Sequence, residues 1–311
     1  MQAALWFLNV GYGDAFYAEV FSDDGEPFRL LVDGGSATRA DSLLALLQER
    51  CVSTLDLLIS THLHEDHVAG LALAAKQLMA VKECWALCPL PDAAVPLPID
   101  PTWAYYTGKT GESLNAYRWL LQERLPALGA RLLTAAAGDL APGMAFEPVP
   151  GLRLEVLYTG GAKTAATVGM IDRLYREPAH SEHHLYQIDQ SANEACLALR
   201  LQIGDLKVLL PGDNLLGWWQ AVPPEQLQAD LLKIAHHGAA DATSAELIAL
   251  VKPQAAILSC SLARTDRPEP AVLEALGPVP LHQTEFAPYA QAIAVTWDGH
   301  QITISHKGVE A

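Results

Sequence analysis

Between residues 62 and 67 the chain sets three histidines and two carboxylates in six consecutive positions, His62-Leu63-His64-Glu65-Asp66-His67. They follow the apolar run Leu55–Ser60, which reads as a buried strand. Side chains alternate along an extended segment, so His62 and His64 project the same way. Asp66 and His67 then open a helix and turn toward a neighbouring point. That arrangement builds two adjacent metal positions, one of imidazoles and one of mixed carboxylate and imidazole. The plain alternative is a solvated histidine-rich loop, and such density at a strand end argues against it.

Two distant segments repeat the placement. Leu209-Leu210-Pro211-Gly212-Asp213 ends an apolar strand in a carboxylate, and Leu231-Leu232-Lys233-Ile234-Ala235-His236-His237-Gly238 ends another in two histidines. Alone, Asp213 reads as a helix cap and His236 as a loop residue. Together with positions 62–67, all three lie at strand ends of one sheet system, and a shared site is the economical explanation.

The rest of the chain supplies the scaffold. Strand-like runs occur at Leu5–Val10, Ala15–Phe21, Phe28–Val32, Leu152–Tyr158, Cys196–Ile203, Lys207–Leu210, Leu231–Ala235, Ala255–Ser259, Ala292–Trp297 and Gln301–Ser305. Helical spacing marks Ala40–Gln48, Glu112–Leu125, Thr243–Val251 and Glu269–Leu276. Two β-rich halves with interspersed helices predict an α/β chain folded as an αββα sandwich, two mixed sheets flanked by helices. The sandwich is expected to span 1–311 as a single domain. A Pro-rich insertion is expected near 89–110 and a long irregular loop, a potential lid or proteolysis-sensitive gate, near 159–193.

Composition narrows the partners. Twenty Lys and Arg against 36 Asp and Glu give a net charge of −16, a surface that repels phosphate backbones. A metal-centred site inverts the field locally, so phosphates stay within reach. The five cysteines form no C-x-x-C pair, and no stretch reads as a signal peptide or a membrane span. A cytoplasmic location is the expectation. The Trp218-Trp219 pair is expected to pack rather than to stack bases.

Residues 62–67 match the His-x-His-x-Asp-His motif, and on it the chain resembles the metallo-β-lactamase superfamily. Within it, the chain is similar to the soluble hydrolase domain of DNA-internalisation competence proteins (the ComEC type). The segments Val10-Gly11-Tyr12-Gly13-Asp14-Ala15, Val32-Asp33-Gly34-Gly35, Gly212-Asp213 and His236-His237-Gly238 echo that domain in order and spacing. Gln291–Val295 before Asp298-Gly299 echoes its last hairpin. The resemblance implies a hydrolase with two divalent ions, zinc or alternatively manganese. His62 and His64 would hold the first ion, Asp66 and His67 the second, and Asp213 would bridge. His237, His236 or both would complete the second site or face the leaving group. Asp33 would organise the loop beneath the ions.

Two departures stand out. No third histidine for the first ion is evident; Asn193 occupies the region where the superfamily often has it, and His180, His183 and His184 lie upstream. After Ser259-Cys260, Asp266-Arg267-Pro268 replaces a Gly-His-Pro-like element, and Arg267 is the candidate phosphate ligand there. The implied activity is a phosphodiesterase or nuclease cleaving DNA through hydroxide activated by two metals, with Asp66 orienting the nucleophile and His236 or Lys233 assisting the leaving oxygen. A regulatory partner could guide DNA to so acidic a protein. The alternatives are a small phosphodiester substrate, such as a cyclic nucleotide or phosphorylated headgroup, and a metal-stabilised scaffold subunit without turnover.

Overall fold

The computed structural model describes residues 1–22, 25–287 and 289–308. Among them, strands β1 (Gln2–Leu8), β2 (Phe16–Phe21), β3 (Phe28–Val32), β4 (Thr54–Ile59), β5 (Ala80–Ala86) and β6 (Arg131–Thr134) build the first sheet. The second takes β7 (Ala145–Val149), β8 (Leu152–Tyr158), β9 (Ala198–Ile203), β10 (Leu206–Leu210), β11 (Leu231–Lys233), β12 (Ala255–Leu258) and β13 (Leu281–Gln283). The chain then returns to the first sheet with β14 (Ala290–Trp297) and β15 (Ile302–Gly308). The orders are β15-β14-β1-β2-β3-β4-β5-β6 and β13-β12-β11-β10-β9-β8-β7. Each sheet is antiparallel at one end and parallel at the other, so both are mixed.

Helices α1 (Asp41–Glu49), α2 (Glu65–Gln77) and α3 (Tyr105–Arg118) share one large core with both sheets. A π-helical stretch, Trp119–Arg124, carries α3 into the short α4 (Leu125–Ala127). Helices α5 (Ala162–Arg176) and α6 (Ser181–Ser191) pack together, and α6 packs on α3. Beyond the second sheet, α7 (Pro224–Leu227), α8 (Ala245–Val251) and α9 (Pro270–Leu276) close the other side. The two-sheet sandwich expected from the strand–helix pattern is the observed fold.

Strand alternation sorts residues between the layers. In β10, Leu206, Val208 and Leu210 face the large core, while Leu209 joins a second core with Trp218, Trp219 and α8. In β11, Leu231 points to the first and Leu232 to the second, so Lys233 turns inward between the sheets. Trp218 and Trp219 are buried there.

Two expectations are corrected. Residues 159–193 form helices rather than an irregular loop. Buried Thr164, Thr167, Ile171 and Leu174 on α5, and Ser181, His184, Leu185 and Ile188 on α6, recur every three or four residues. Gly160-Gly161 and Pro178 punctuate these helices without dissolving them. The expected insertion near 89–110 also ends early: residues 87–104 carry neither helix nor strand, but α3 starts at Tyr105, ahead of Glu112. No helix among the described residues is long and apolar enough to cross a membrane.

Candidate metal centre

The histidine motif is held in place by glycine. Gly34, after β3, lies against Gly70 of α2 so closely that a methyl group on either would fall inside the other's backbone. Three backbone hydrogen bonds lock the contact: Gly34 N to His67 O at 2.8 Å, Gly70 N to Gly35 O at 2.8 Å, and Asp14 N to Asp66 O at 3.2 Å. The first turn of α2 is thereby joined to the loops after β1 and β3. Ser113 of α3 pins the turn from outside, its Oγ donating to Leu63 O at 2.5 Å.

Around this frame six side chains converge. His62 Nε2 faces His64 Nδ1 at 3.2 Å. His67 Nε2 and His237 Nε2 lie 3.3 Å apart, and Asp213 Oδ2 is 3.2 Å from the first and 3.0 Å from the second. Asp66 Oδ2 is 3.3 Å from His237 Nε2. Donor atoms of His62, His67 and Asp213 form one compact group, and those of Asp66, His67 and His237 form another that shares His67. His62, His67 and His237 are fully buried and Asp213 nearly so. His64 stands a step outside, half-buried, with Nε2 against the Asp189 carbonyl of α6 at 3.2 Å.

Second partners orient the rings. Asp33, in a left-handed conformation at φ 54°, accepts from His67 Nδ1 at 2.9 Å, Thr61 Oγ1 at 2.7 Å and Thr61 N at 2.9 Å. His237 Nδ1 donates to Ser259 O at 3.1 Å. Each ring therefore presents Nε2 to the cluster and is fixed through Nδ1. His236 and His237 both adopt left-handed backbone, a costly conformation for two successive non-glycine residues. It swings the neighbouring rings apart: His237 enters the cluster, while His236 pairs with Asp241 at 2.9 Å and with Asn193 at 3.1 Å.

The donor chemistry fits divalent cations. Buried imidazole nitrogens facing one another across a carboxylate need shared protons or a cation between them. Asp213 Oδ1 and Asp14 Oδ1 are buried without a hydrogen-bond partner. The protonation preferences agree. Burial first, then His67 and His64, push His62 well below the usual imidazole range, which keeps it a neutral donor. Burial also works against charge on His237, but Asp213 and Asp14 outweigh it and lift the ring to about 9. Among the groups around His67, Asp213 and Asp33 likewise overcome burial and raise it. Burial would raise Asp66, and His67 and His237 overcome it, holding the carboxyl below its usual range. Asp213 is held down too, by His237, His67 and Lys233 against burial.

Several candidates fall elsewhere. Lys233 stands beside the cluster: buried between the sheets, it forms an ion pair with Asp14 and lies 3.6 Å from Asp213 Oδ1. Arg267 is engaged with Asp266 and Glu269 on a neighbouring loop. His180 and His183 are exposed on the helical segment, and His184 pairs with Glu177 at 3.4 Å. Asn193 meets the site only through His236. Three contributors carried no assigned role in the sequence: Asp14, Tyr12, whose ring packs 4.3 Å from that of His237, and Cys196, whose sulfur is 3.6 Å from His62 Nδ1. Burial pushes that thiol up to about 12. Position within Gly11-Tyr12-Gly13-Asp14 was the available signal for the first two.

Residues 11–84 match the family model described as the metallo-beta-lactamase superfamily. No curated protein matches the chain. Among solved structures, a diphosphatase from the PhnP family aligns at 12% identity and a TM-score of 0.47, covering 96% of this chain and 98% of that one. Zn(2+)-bound PqqB from Methylobacterium extorquens aligns at 12% identity and 0.39, covering 75% and 72%. MEM-A1, a subclass B3 metallo-beta-lactamase from a soil metagenome library, aligns at 13% identity and 0.39, covering 76% and 78%. Likeness at these values does not speak to activity. The segment that carries the histidine motif is a match to the metallo-β-lactamase superfamily, and the sandwich around it is of that superfamily's kind.

Proposed function

We propose that this protein is a metal-dependent hydrolase of phosphodiesters, with DNA as the first substrate to consider, in the manner that its resemblance to the competence-protein hydrolase domain implies. The observation that carries the reading is the convergence of His62, Asp66, His67, Asp213 and His237 from three separate segments into adjoining donor groups, with His64 at their edge, 3.2 Å from His62. His62 and His64 would hold one ion, Asp66, His67 and His237 the other, with Asp213 between. Divalent ions bound there would lower the pKa of water and offset the charge that develops on phosphoryl oxygens.

The chain's own groups supply the rest. Asp33 and the Ser259 carbonyl hold His67 and His237 in one tautomer. Lys233 balances the carboxylates of Asp14 and Asp213 in a region closed to solvent. His236 is suited to the leaving oxygen: Asp241 accepts from its Nδ1, and its Nε2, which accepts from the Asn193 amide, could carry a proton to that oxygen once Asn193 is displaced.

A small phosphodiester is the second reading, favoured by the net charge of −16. A panel of single-stranded DNA, duplex DNA, RNA, cyclic nucleotides and generic phosphodiesters, run with zinc and with manganese, separates the two. His64→Ala and Asp213→Ala should each lower activity at least about a hundredfold, since even groups that only orient ligands are worth 10–100-fold. Full activity in either variant would exclude this site. Protein that takes up ions yet turns over none of these substrates would instead support the metal-stabilised scaffold.

A further inference from the structure

One cationic group is a single aromatic ring away from the cluster. The Arg264 guanidinium sits 4.5 Å above the Tyr12 ring, and Tyr12 in turn packs 4.3 Å from His237. The segment that bears Arg264 is anchored to the same turn: Glu269 N donates to Gly238 O at 2.9 Å, and a Cβ on Gly238 would come within 2.9 Å of Pro268. Arg264 is therefore fixed relative to His237 from two sides. Its fork is taken by one carboxylate, Nε to Asp266 Oδ1 and Nη2 to Asp266 Oδ2, both 2.9 Å. Arg267 Nη1 approaches the same carboxylate at 3.2 Å, and its Nε is buried without a hydrogen-bond partner.

We propose that Arg264, stacked on Tyr12 and closed by Asp266, is a recognition site for a second phosphoryl group of the substrate, next to the one cleaved at the histidine cluster. The inference rests on the phosphodiester reading above and narrows it to substrates carrying two neighbouring phosphoryl groups. The bidentate Asp266 contact is the geometry in which a guanidinium takes two oxygens of a phosphate. Asp266 is 55% exposed, so its pairing is screened by water and yields to an anion of higher charge. The Tyr12 face adds a cation–π contact that holds the guanidinium in one orientation. Arg267, tied also to Glu269 at 3.0 Å, is the weaker partner because it retains a second carboxylate. Such a phosphate could come from the next nucleotide of a strand or from a diphosphate, and the chemistry at Arg264 is the same.

The test compares kcat/KM of the metal-loaded chain for a thymidine dinucleotide with and without a 5′-phosphate, and for a dinucleoside diphosphate. Wild type should favour at least one two-phosphoryl substrate by about tenfold. The strand arm succeeds with the phosphorylated dinucleotide and the diphosphate arm with the other. Arg264→Gln should bring the ratio close to one, and Arg264→Lys should restore only part of it because a point charge lacks the fork. Pyrophosphate binding to the chelator-treated full chain reads the site without hydrolysis. It should raise the Tm of wild type, raise that of Asp266→Asn further, and leave Arg264→Gln nearly unmoved. Hydrolysis of none of the substrates would overturn the phosphodiester reading while the pyrophosphate series still decides the anion site. A wild-type ratio near one, a ratio that survives Arg264→Gln, or equal pyrophosphate response in all three proteins overturns the proposal.

Discussion

Asp33 shows how far a single residue's role can be read. The turn Val32-Asp33-Gly34-Gly35 is visible in the sequence, and so is a place for Asp33 beneath the motif. That one carboxylate binds both His67 and Thr61 appears only when β3 and β4 lie side by side. Asp33→Asn retains a residue that tolerates the left-handed backbone but weakens acceptance from His67 Nδ1. It should reduce metal affinity 10–100-fold, measured by competition with a chromophoric chelator, with the fold intact by circular dichroism. Protonation at this scale also has a definite sign. His237 is raised from the ordinary 6.5 to about 9, so its ion pairs support the metal-free fold fully below about 6.5 and are lost as pH climbs through about 9. Asp213 is depressed, so its support is present above the ordinary carboxyl value and lost as pH falls through its lowered one. A divalent ion held by His237 would displace its proton. The Tm advantage of metal-loaded over metal-free protein should therefore widen from pH 6.5 toward 9, and a flat difference would contradict the ligand role of His237. Alternation along three residues of β11 turns Lys233 toward Asp14 and Asp213, where it supports the carboxylates of the cluster, a placement the local sequence did not specify.

Helix α2 is the element on which the site depends. Its start was legible in the switch from strand alternation to a helical run after His64. Its depth in the molecule was not, because the contact between Gly34 and Gly70 joins positions far apart in the chain. Gly70→Ala should destabilise the protein by about 3 kcal/mol, the cost of forcing atoms into a packed backbone contact, and should reduce metal uptake with it. Urea unfolding together with elemental analysis checks both; an unchanged midpoint would mean that the helix can back away. Helices α5 and α6 were the least legible elements. Their buried faces mix threonine, serine and histidine with leucine and isoleucine, so the apolar stripe is faint, and packing of α5 on α6 and of α6 on α3 completes it. The order of these helices narrows the room for a lid in this segment, although Asp189 of α6 still touches His64.

At the scale of the whole molecule, the cluster joins the loops after β1, β3 and β4 to the ends of β10 and β11, and so ties one sheet to the other. Ions at a thousand times their Kd would stabilise the fold by about 4 kcal/mol. Chelation should accordingly lower Tm by several degrees, and an unchanged Tm would argue against an ion in this position. The net charge of −16 acts over the same scale. Salt screens repulsion, so raising ionic strength should lower KM for long duplex DNA while leaving a dinucleotide nearly unaffected. A rise in KM for long DNA would reveal a cationic track that the charge balance conceals. The sequence by itself determined the sandwich and the six-residue motif, because strand alternation, helical spacing and the density of histidines are local properties of the chain. Only the tertiary structure decided which of two adjacent histidines enters the cluster, which face Lys233 takes, and that Arg264 stacks on the Tyr12 ring beside His237. Those outcomes depend on left-handed backbone at 236–237, on strand register and on the packing of Pro268 against Gly238, contacts between segments that no local pattern encodes.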